Sequence, residues 1–407
     1  MVRVHPGEPT LDAYIMYEIR TFKTTNAVDI VTTNTEQFFS EKKNKLFSDF
    51  LDILPAGNYT VIDFETVNLL DFITITHKFI EYIRKNNLEH KNIVLVFAYE
   101  CYANNILSLI LNTLALHKVK NVLVLDGGID TVDKLVVHFH KDFTIQHKTI
   151  PYWFKLYNND DPAYNVPDKN KERSIHYCSL ARIARPERVK FTNLILANQD
   201  VYEKGLVTCG WGSYDYSNKQ WTGKHAEFID TLIPVEFADI YPLSLEDADR
   251  LQHTITNQIS DCAVNVILEG EVGYYSNSYA VKHPAPYVEL CSQNDRLFFT
   301  EKTAKAFVGL QLPLFVAPAG FVQQLRNFGF DVFDDFFDHS YDRVDDVELR
   351  INMAFEQLEK VCNKNLQELN EFLHYNLPRL HNNRYKLVEK TSNFEFEIIQ
   401  YINNNFA

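Results

Sequence analysis

Over the first 150 residues, short β-branched apolar runs alternate with longer segments whose apolar residues return every three or four positions. The runs cover residues 28–32, 60–63, 92–98 and 121–125, and the helix-period segments between them cover 35–54, 70–86 and 102–117. Within 70–86, Phe72, Ile75, Phe79, Ile80 and Ile83 fall on one face, the stripe that an amphipathic helix buries. Strands alternating with helices predict βαβ units on a parallel sheet with right-handed crossovers.

The alternation stops at residues 157–173, YNNDDPAYNVPDKNKER, a polar stretch with two prolines and no period, read as a linker or long loop. It then resumes. Strands are expected at 175–178, 205–209, 263–268 and 314–317, and helices at 186–198, 245–259, 299–308 and 321–328. A long amphipathic helix is expected over 347–372, with Pro378 breaking the chain before a final helix near 394–403. No fixed-period repeat is visible.

Composition agrees with this layout. The 407 residues correspond to about two to three domains of ordinary size. With 30 Phe, 22 Tyr and 3 Trp but 13 Gly, the chain has the make-up of packed cores and not of a disordered segment. The net charge of −14 excludes the overall positive field of a generic nucleic-acid binder and leaves open a local basic groove. The six cysteines, at 101, 178, 209, 262, 291 and 362, form no CxxC pair, so they read as reduced thiols filling a cytoplasmic core. The first residues, MVRVHPGEPTLDAY, lack the apolar region of a secretory signal, and no run of about 18 apolar residues predicts a membrane span.

Candidate chemistry follows from the strand ends, because open α/β sheets bind ligands beyond the C-terminal ends of their strands. There the first half carries Asp63 and Glu65, Tyr99 and Glu100, and Asp126 ahead of Gly127 and Gly128. Glu100 and Asp126 are candidates for a general base; an Asp at such a rim also serves as a helix N-cap. GxGxxG, GxxxxGK[ST], GxSxG and HExxH are all absent, which leaves a dinucleotide cradle, a P-loop, a serine hydrolase and a zinc protease without support.

In the second half, SLARIARPERVKF sets Arg182, Arg185 and Arg188 around a helix start. Guanidinium groups beside free helix N–H groups suit a pyrophosphate; a solvated basic helix end has the same composition. In FFTEKTAKAFVGLQLPLFV, Thr300 can cap a helix opening on Glu301, Lys302 and Thr303. A lysine in a first turn opposes the helix dipole, which marks Lys302 as a ligand contact or as an ordinary solvated side chain. The one DxD of this half, Asp247-Ala248-Asp249, falls inside a predicted helix, and no metal-ligand cluster is visible.

Taken together, the Arg-rich segment, the strand NVILEGE ending on Glu269, the Thr-Glu-Lys-Thr segment and GFVQQLRNFGFDVFDDFFDHSYD resemble the donor-binding half of glycosyltransferases of the two-domain GT-B fold. The resemblance spans roughly residues 174–360 and is narrower to a group found in bacteriophages, large viruses and bacterial polysaccharide loci. It implies an α/β protein of two Rossmann-like domains facing a cleft: an acceptor domain over 1–165, a donor domain over 174–360 and a C-terminal helical extension over 361–407. By the same resemblance Glu269, Glu301, Lys302 and Thr303 contact the ribose or sugar of a nucleotide-sugar donor, and Arg182, Arg185 and Arg188 its diphosphate.

The implied reaction is a metal-independent transfer to an acceptor hydroxyl, with no cofactor beyond the donor; it is inverting if Glu100 or Asp126 deprotonates the acceptor, while a retaining transfer needs no such base. The start VRVHPGEPT resembles phage members of the group, which assigns His5 to the acceptor, although Pro6-Gly7 also reads as a turn that leaves His5 at the surface; Tyr99, at a strand end, is assigned to the acceptor as an aromatic near the cleft. The acceptor is then a hydroxymethylated pyrimidine in phage DNA or a glycan, and the setting is a cytoplasm, the host's if the protein is viral. A flipped or exposed base would be needed on duplex DNA. Tyr102, Trp211 and Trp221 are available to stack on a base or sugar, or to pack a core. A non-catalytic nucleotide- or glycan-binding α/β protein is the alternative reading.

Overall fold

Strands that must be covered on both faces are almost wholly apolar, and NIVLVF and NVLVLD in the first half of the chain are of that kind. The computed structural model describes residues 20–23, 29–32, 53–63, 72–86, 92–97, 104–117, 119, 121–128, 144–149, 172–181, 186–209, 213–215, 220–222, 257–269 and 297–406. The first sheet contains β1 (Arg20–Lys23), β2 (Asp29–Thr32), β3 (Tyr59–Asp63), β4 (Asn92–Phe97), β5 (Asn121–Asp126) and β6 (Thr144–Thr149), side by side in that order. β1 runs antiparallel to β2, and every other neighbouring pair is parallel. Ile93–Val96 and Val122–Leu125 are at 1% exposure or less, the buried centre of this sheet. Of the helices, α1 (Phe72–Lys85) buries Phe79, Ile80 and Ile83, three of the five positions of the stripe its sequence predicts, and α2 (Asn104–Leu116) links β4 to β5.

The second sheet draws on β7 (Ile175–Ala181), β8 (Gly205–Cys209), β11 (Cys262–Leu268) and β12 (Leu312–Val316), with a small antiparallel pair, β9 (Ser213–Asp215) and β10 (Gln220–Thr222), between β8 and β11 in the chain. The spatial order is β12-β11-β7-β8, all parallel. Pro313 is tolerated inside β12 because that strand is an edge of the described sheet. The helices of this half are α3 (Pro186–Ala197), α4 (Gln199–Tyr202), α5 (Asn257–Ser260), α6 (Glu301–Val308), α7 (Phe321–Asn327), α8 (Val347–Cys362), α9 (Leu366–Tyr375) and α10 (Leu377–Asn405). The molecule is thus α/β with two mainly parallel sheets. Of the predicted helix over 245–259 only the last residues, within α5, are described, and of that over 35–54 only the last two.

The two sheets differ in winding. In the first, spatial order follows chain order, so successive connections step the same way across the sheet. In the second, β7 leads to β8 on one side, while β11, on its other side, leads to β12 in the opposite direction. Neighbouring strands whose connections diverge open a crevice at their C-terminal ends, the place where such sheets bind ligands. That crevice lies between β7 and β11.

The C-terminal helices correct the sequence reading. Residues 347–372 are two helices and not one: α8 ends at Cys362, and Asn365 opens α9 with a capping box, accepting from the Glu368 amide while the Glu368 side chain accepts from the Asn365 amide. Pro378 does not break the chain either. It sits in the first turn of α10, where a missing N–H costs nothing, and one helix of 29 residues continues to Asn405. This helix touches both halves. Phe394 packs on Phe328 of the second, while Glu397 pairs with Lys148 of β6 at 3.1 Å and the Phe406 carbonyl accepts from the Asn58 amide at 3.0 Å. None of the described helices is long and apolar enough to cross a membrane.

Candidate functional site

Glu269 is the first residue past β11, and its amide still pairs with the Val316 carbonyl of β12 at 3.1 Å, so its position is set by the sheet. Its side chain, 1% exposed, turns to the start of α6. Oε1 accepts from the Thr300 amide at 3.2 Å and from the Thr303 hydroxyl at 2.5 Å, and Oε2 accepts from the Thr300 hydroxyl at 2.6 Å. Thr300 is also the N-cap, accepting from the Lys302 amide at 3.2 Å. Two segments 31 residues apart in sequence are therefore held as one polar unit at the crevice end of the sheet. A buried carboxylate is tolerated only when hydrogen-bonded or paired, and here three donors meet it.

Lys302 explains its own breach of the dipole rule. Its Nζ donates to Glu301 Oε1 and to Thr300 Oγ1, both at 3.0 Å, and lies 3.9 Å from Glu269 Oε2. The carboxylates offset the positive end of the helix dipole. Its side chain is still a quarter exposed, whereas that of Glu301 is 10% exposed. One turn on, Lys305 is buried. Burial pulls its ammonium down to about 8, against the opposing attraction of Glu301, and Lys302 adds a further downward push. The unit is thus two carboxylates and two lysines around a capped helix start. Glu269 has its oxygens engaged inward and holds the helix start in place; Lys302 is the member that faces outward.

Across the crevice, α3 starts five residues beyond the end of β7. Arg188 lies in its first turn, 5% exposed, beside Glu187, which is 2% exposed and whose Oε1 has no hydrogen-bond partner. Arg182 and Arg185, in the segment that joins β7 to α3, lie outside the described residues. So do His5, Tyr99, Glu100, Glu65, Tyr102, Trp211 and the Asp247–Asp249 pair. Trp221 is in β10, opposite Tyr214 of β9.

Asp126 closes β5 and is fully buried. It is no helix N-cap here. Its Oδ1 accepts from the Gly128 amide at 3.0 Å and meets His147 Nε2 at 2.7 Å. His147 comes from the neighbouring strand β6, where it pairs in register with Val124. Sequence reasoning missed it because TIQHKT contains a single apolar residue; the available signal was the alternation of Phe143, Ile145 and His147. The loop after Asp126 is pinned from two sides. Thr149 Oγ1 donates to the Gly128 carbonyl at 2.7 Å, and Gly128 forms an antiparallel bridge with Phe298. Gly127 lies so close beneath the Phe298 ring that an added Cβ would stand 2.2 Å from it. Phe298 is two residues before Thr300, so the end of β5 abuts the segment that leads into the Glu269–Lys302 unit.

Among the described residues no group of three or more His, Cys, Asp or Glu side chains is arranged to hold a metal ion. No protein-family model, curated protein or solved structure matches this chain.

Proposed function

We propose that the chain is a nucleotide-sugar-dependent glycosyltransferase of two Rossmann-like domains facing a cleft, the second of which holds the donor. The observation that carries this reading is the Glu269–Thr300–Lys302–Thr303 unit at the C-terminal end of β11, beside the point where the connections from β7 and β11 run in opposite directions. The helix start is the positive end of the α6 dipole, and Lys302 adds an outward charge; together they suit the diphosphate of a donor. Arg188 adds positive charge from the first turn of α3, and the unmet Glu187 oxygen is an acceptor for a donor hydroxyl. Positive groups fixed at the diphosphate stabilise the charge that develops on the leaving nucleotide, which is the larger part of what such a site must do.

The transfer is metal-independent and inverting in this reading, with an acceptor hydroxyl on a hydroxymethylated pyrimidine or on a glycan approaching from the first-sheet side. The junction between Gly128 and Phe298 supports that approach, because it brings the end of β5 to the donor unit. Calorimetric titration with UDP, GDP, dTDP, ADP and CMP tests the reading. One nucleotide should bind, and Lys302→Ala and Arg188→Ala should each weaken it at least tenfold while circular dichroism stays unchanged. Binding of none of them removes the transferase reading. Binding without sugar release from any matching nucleotide sugar leaves the non-catalytic nucleotide-binding protein.

A further inference from the structure

We infer that the outer face of α10 is a dimer surface, and that its partner is the same face of a second copy of this chain, running antiparallel about a two-fold axis between Lys390 and Thr391. The helix has two distinct faces. Leu380, Asn383, Leu387, Thr391, Ile398 and Ile402 are buried against the rest of the chain. On the opposite side Tyr385, Val388 and Phe396 are 67%, 44% and 61% exposed. At about 100° and 1.5 Å per residue, Tyr385 and Phe396 fall within about 20° of each other and about 16 Å apart along the axis, with exposed Ser392 between them. Singly exposed apolar residues are ordinary. Three on one stripe of one helix, two of them aromatic, have the composition of an interface core.

The charges beside the stripe select the partner and its direction. Lys386 and Glu397 lie along one flank, Arg384 and Glu395 along the other. On each flank the basic residue stands before the axis and the acidic residue after it. In a parallel pair of these helices opposite flanks meet, so Lys386 would face Arg384 of the second copy and Glu397 would face Glu395, like charge against like. In an antiparallel pair each flank meets its own copy reversed. Lys386 then comes to Glu397 and Arg384 to Glu395, each contact occurring twice by symmetry. All four side chains also have partners within their own chain, Lys386 with the Gly329 carbonyl and Glu397 with Lys148 among them. The contacts between copies therefore set direction and register more than affinity.

The same axis seats the aromatics. Tyr385 is as far before it as Phe396 is after it, so each Tyr385 packs on a Phe396 of the second copy. Nearer the axis, Glu389 comes opposite Ser392, whose hydroxyl is a donor for it, and the two Glu389 carboxylates approach each other. That like-charge contact weakens the pair. So does its size, since a standard interface buries about 800 Å² per partner and one helix from each chain supplies less. Dissociation in the micromolar range is expected.

Sedimentation velocity of the full chain from about 1 to 200 µM tests the inference, and the mass should rise from monomer to dimer across that range. Phe396→Glu and Tyr385→Glu should each weaken the dimer by about tenfold or more. Both should leave the thermal melt of the dilute monomer unchanged, because the two side chains are exposed there. Glu389→Gln should tighten the dimer by about twofold or more, by removing the like-charge contact at the axis. Direction is read by mild oxidation of cysteine variants. Separately made Tyr385→Cys and Phe396→Cys chains should cross-link when mixed, and to a greater extent than either does alone. A monomer at every concentration overturns the inference, as does a dimer that Phe396→Glu and Tyr385→Glu leave intact. Cross-linking of Tyr385→Cys with itself in place of the mixed pair overturns the antiparallel arrangement. Nucleotide binding enters none of these outcomes, so the inference and the transferase reading stand or fall separately.

Discussion

Thr303→Val removes one hydroxyl from the unit that joins β11 to α6 and keeps the shape of the side chain. Thr303 is fully buried, and its hydroxyl donates to Glu269 Oε1 at 2.5 Å, the short distance of a bond to a charged acceptor. Such bonds contribute about 1.5–3 kcal/mol, and the methyl that replaces the hydroxyl returns about 0.8 kcal/mol of apolar burial. A net loss of about 1–2 kcal/mol is expected, read as the shift in urea midpoint multiplied by the slope of the unfolding curve. The charge on Glu269 is the reason for the size of the effect. In a Glu269→Gln background the same substitution should therefore cost about 1 kcal/mol less, which a double-mutant cycle measures directly. Equal costs in the two backgrounds would refute the reasoning, as would a loss below about 0.3 kcal/mol in the wild type.

Lys305 titrates near 8 in the fold and at 10.5 when exposed, so the unfolded chain holds the extra proton between those values and stability rises with pH across that window. The gain is about 3 kcal/mol at 1.36 kcal/mol per pH unit, and urea curves at pH 7 and 10.5 should show it for the wild type relative to Lys305→Met. Gly127→Ala drives a Cβ into the Phe298 ring and should cost about 1–3 kcal/mol, most of it recovered when Phe298→Ala is added, as thermal melts of the pair would report. Asn365→Ala removes the side-chain arm of the α9 capping box, the bond from the Glu368 amide, and should cost about 1 kcal/mol by urea unfolding without touching nucleotide binding.

The strands of both sheets were legible wherever burial on two faces forces a near-continuous apolar run: β3, β4, β5, β8, β11 and β12 all fall on runs visible in the sequence. β6 escaped because an edge strand needs few apolar residues, and His147 escaped with it. Glu269 and the Thr-Glu-Lys-Thr segment were each visible as strand-end and helix-start chemistry. Their union was not, since it depends on β11 and α6 being adjacent in space, which the register of β11 against β12 decides. The division of labour inside the unit was hidden for the same reason. Whether a carboxylate faces a ligand or its own helix is a matter of which hydroxyls surround it, and Glu269 faces Thr300 and Thr303. Pro378 misled because proline ends a helix from within but begins one well; only the neighbours of Asn376 distinguish the two cases.

The reach of α10 back to the first sheet sets a timetable for biosynthesis. Asn58 and Tyr59 precede β4 and β5 in the chain, yet the backbone carbonyl and the ring that they meet belong to Phe406. Roughly 350 residues must be added between the two, which at ribosomal rates takes about 20–70 s. Through that interval β3 exists without its last contact, and Lys148 of β6 waits likewise for Glu397. The nascent first half should then lack these contacts until α10 is made. Loss of only the last few residues should show first as aggregation of the N-terminal half and only later as lost nucleotide binding.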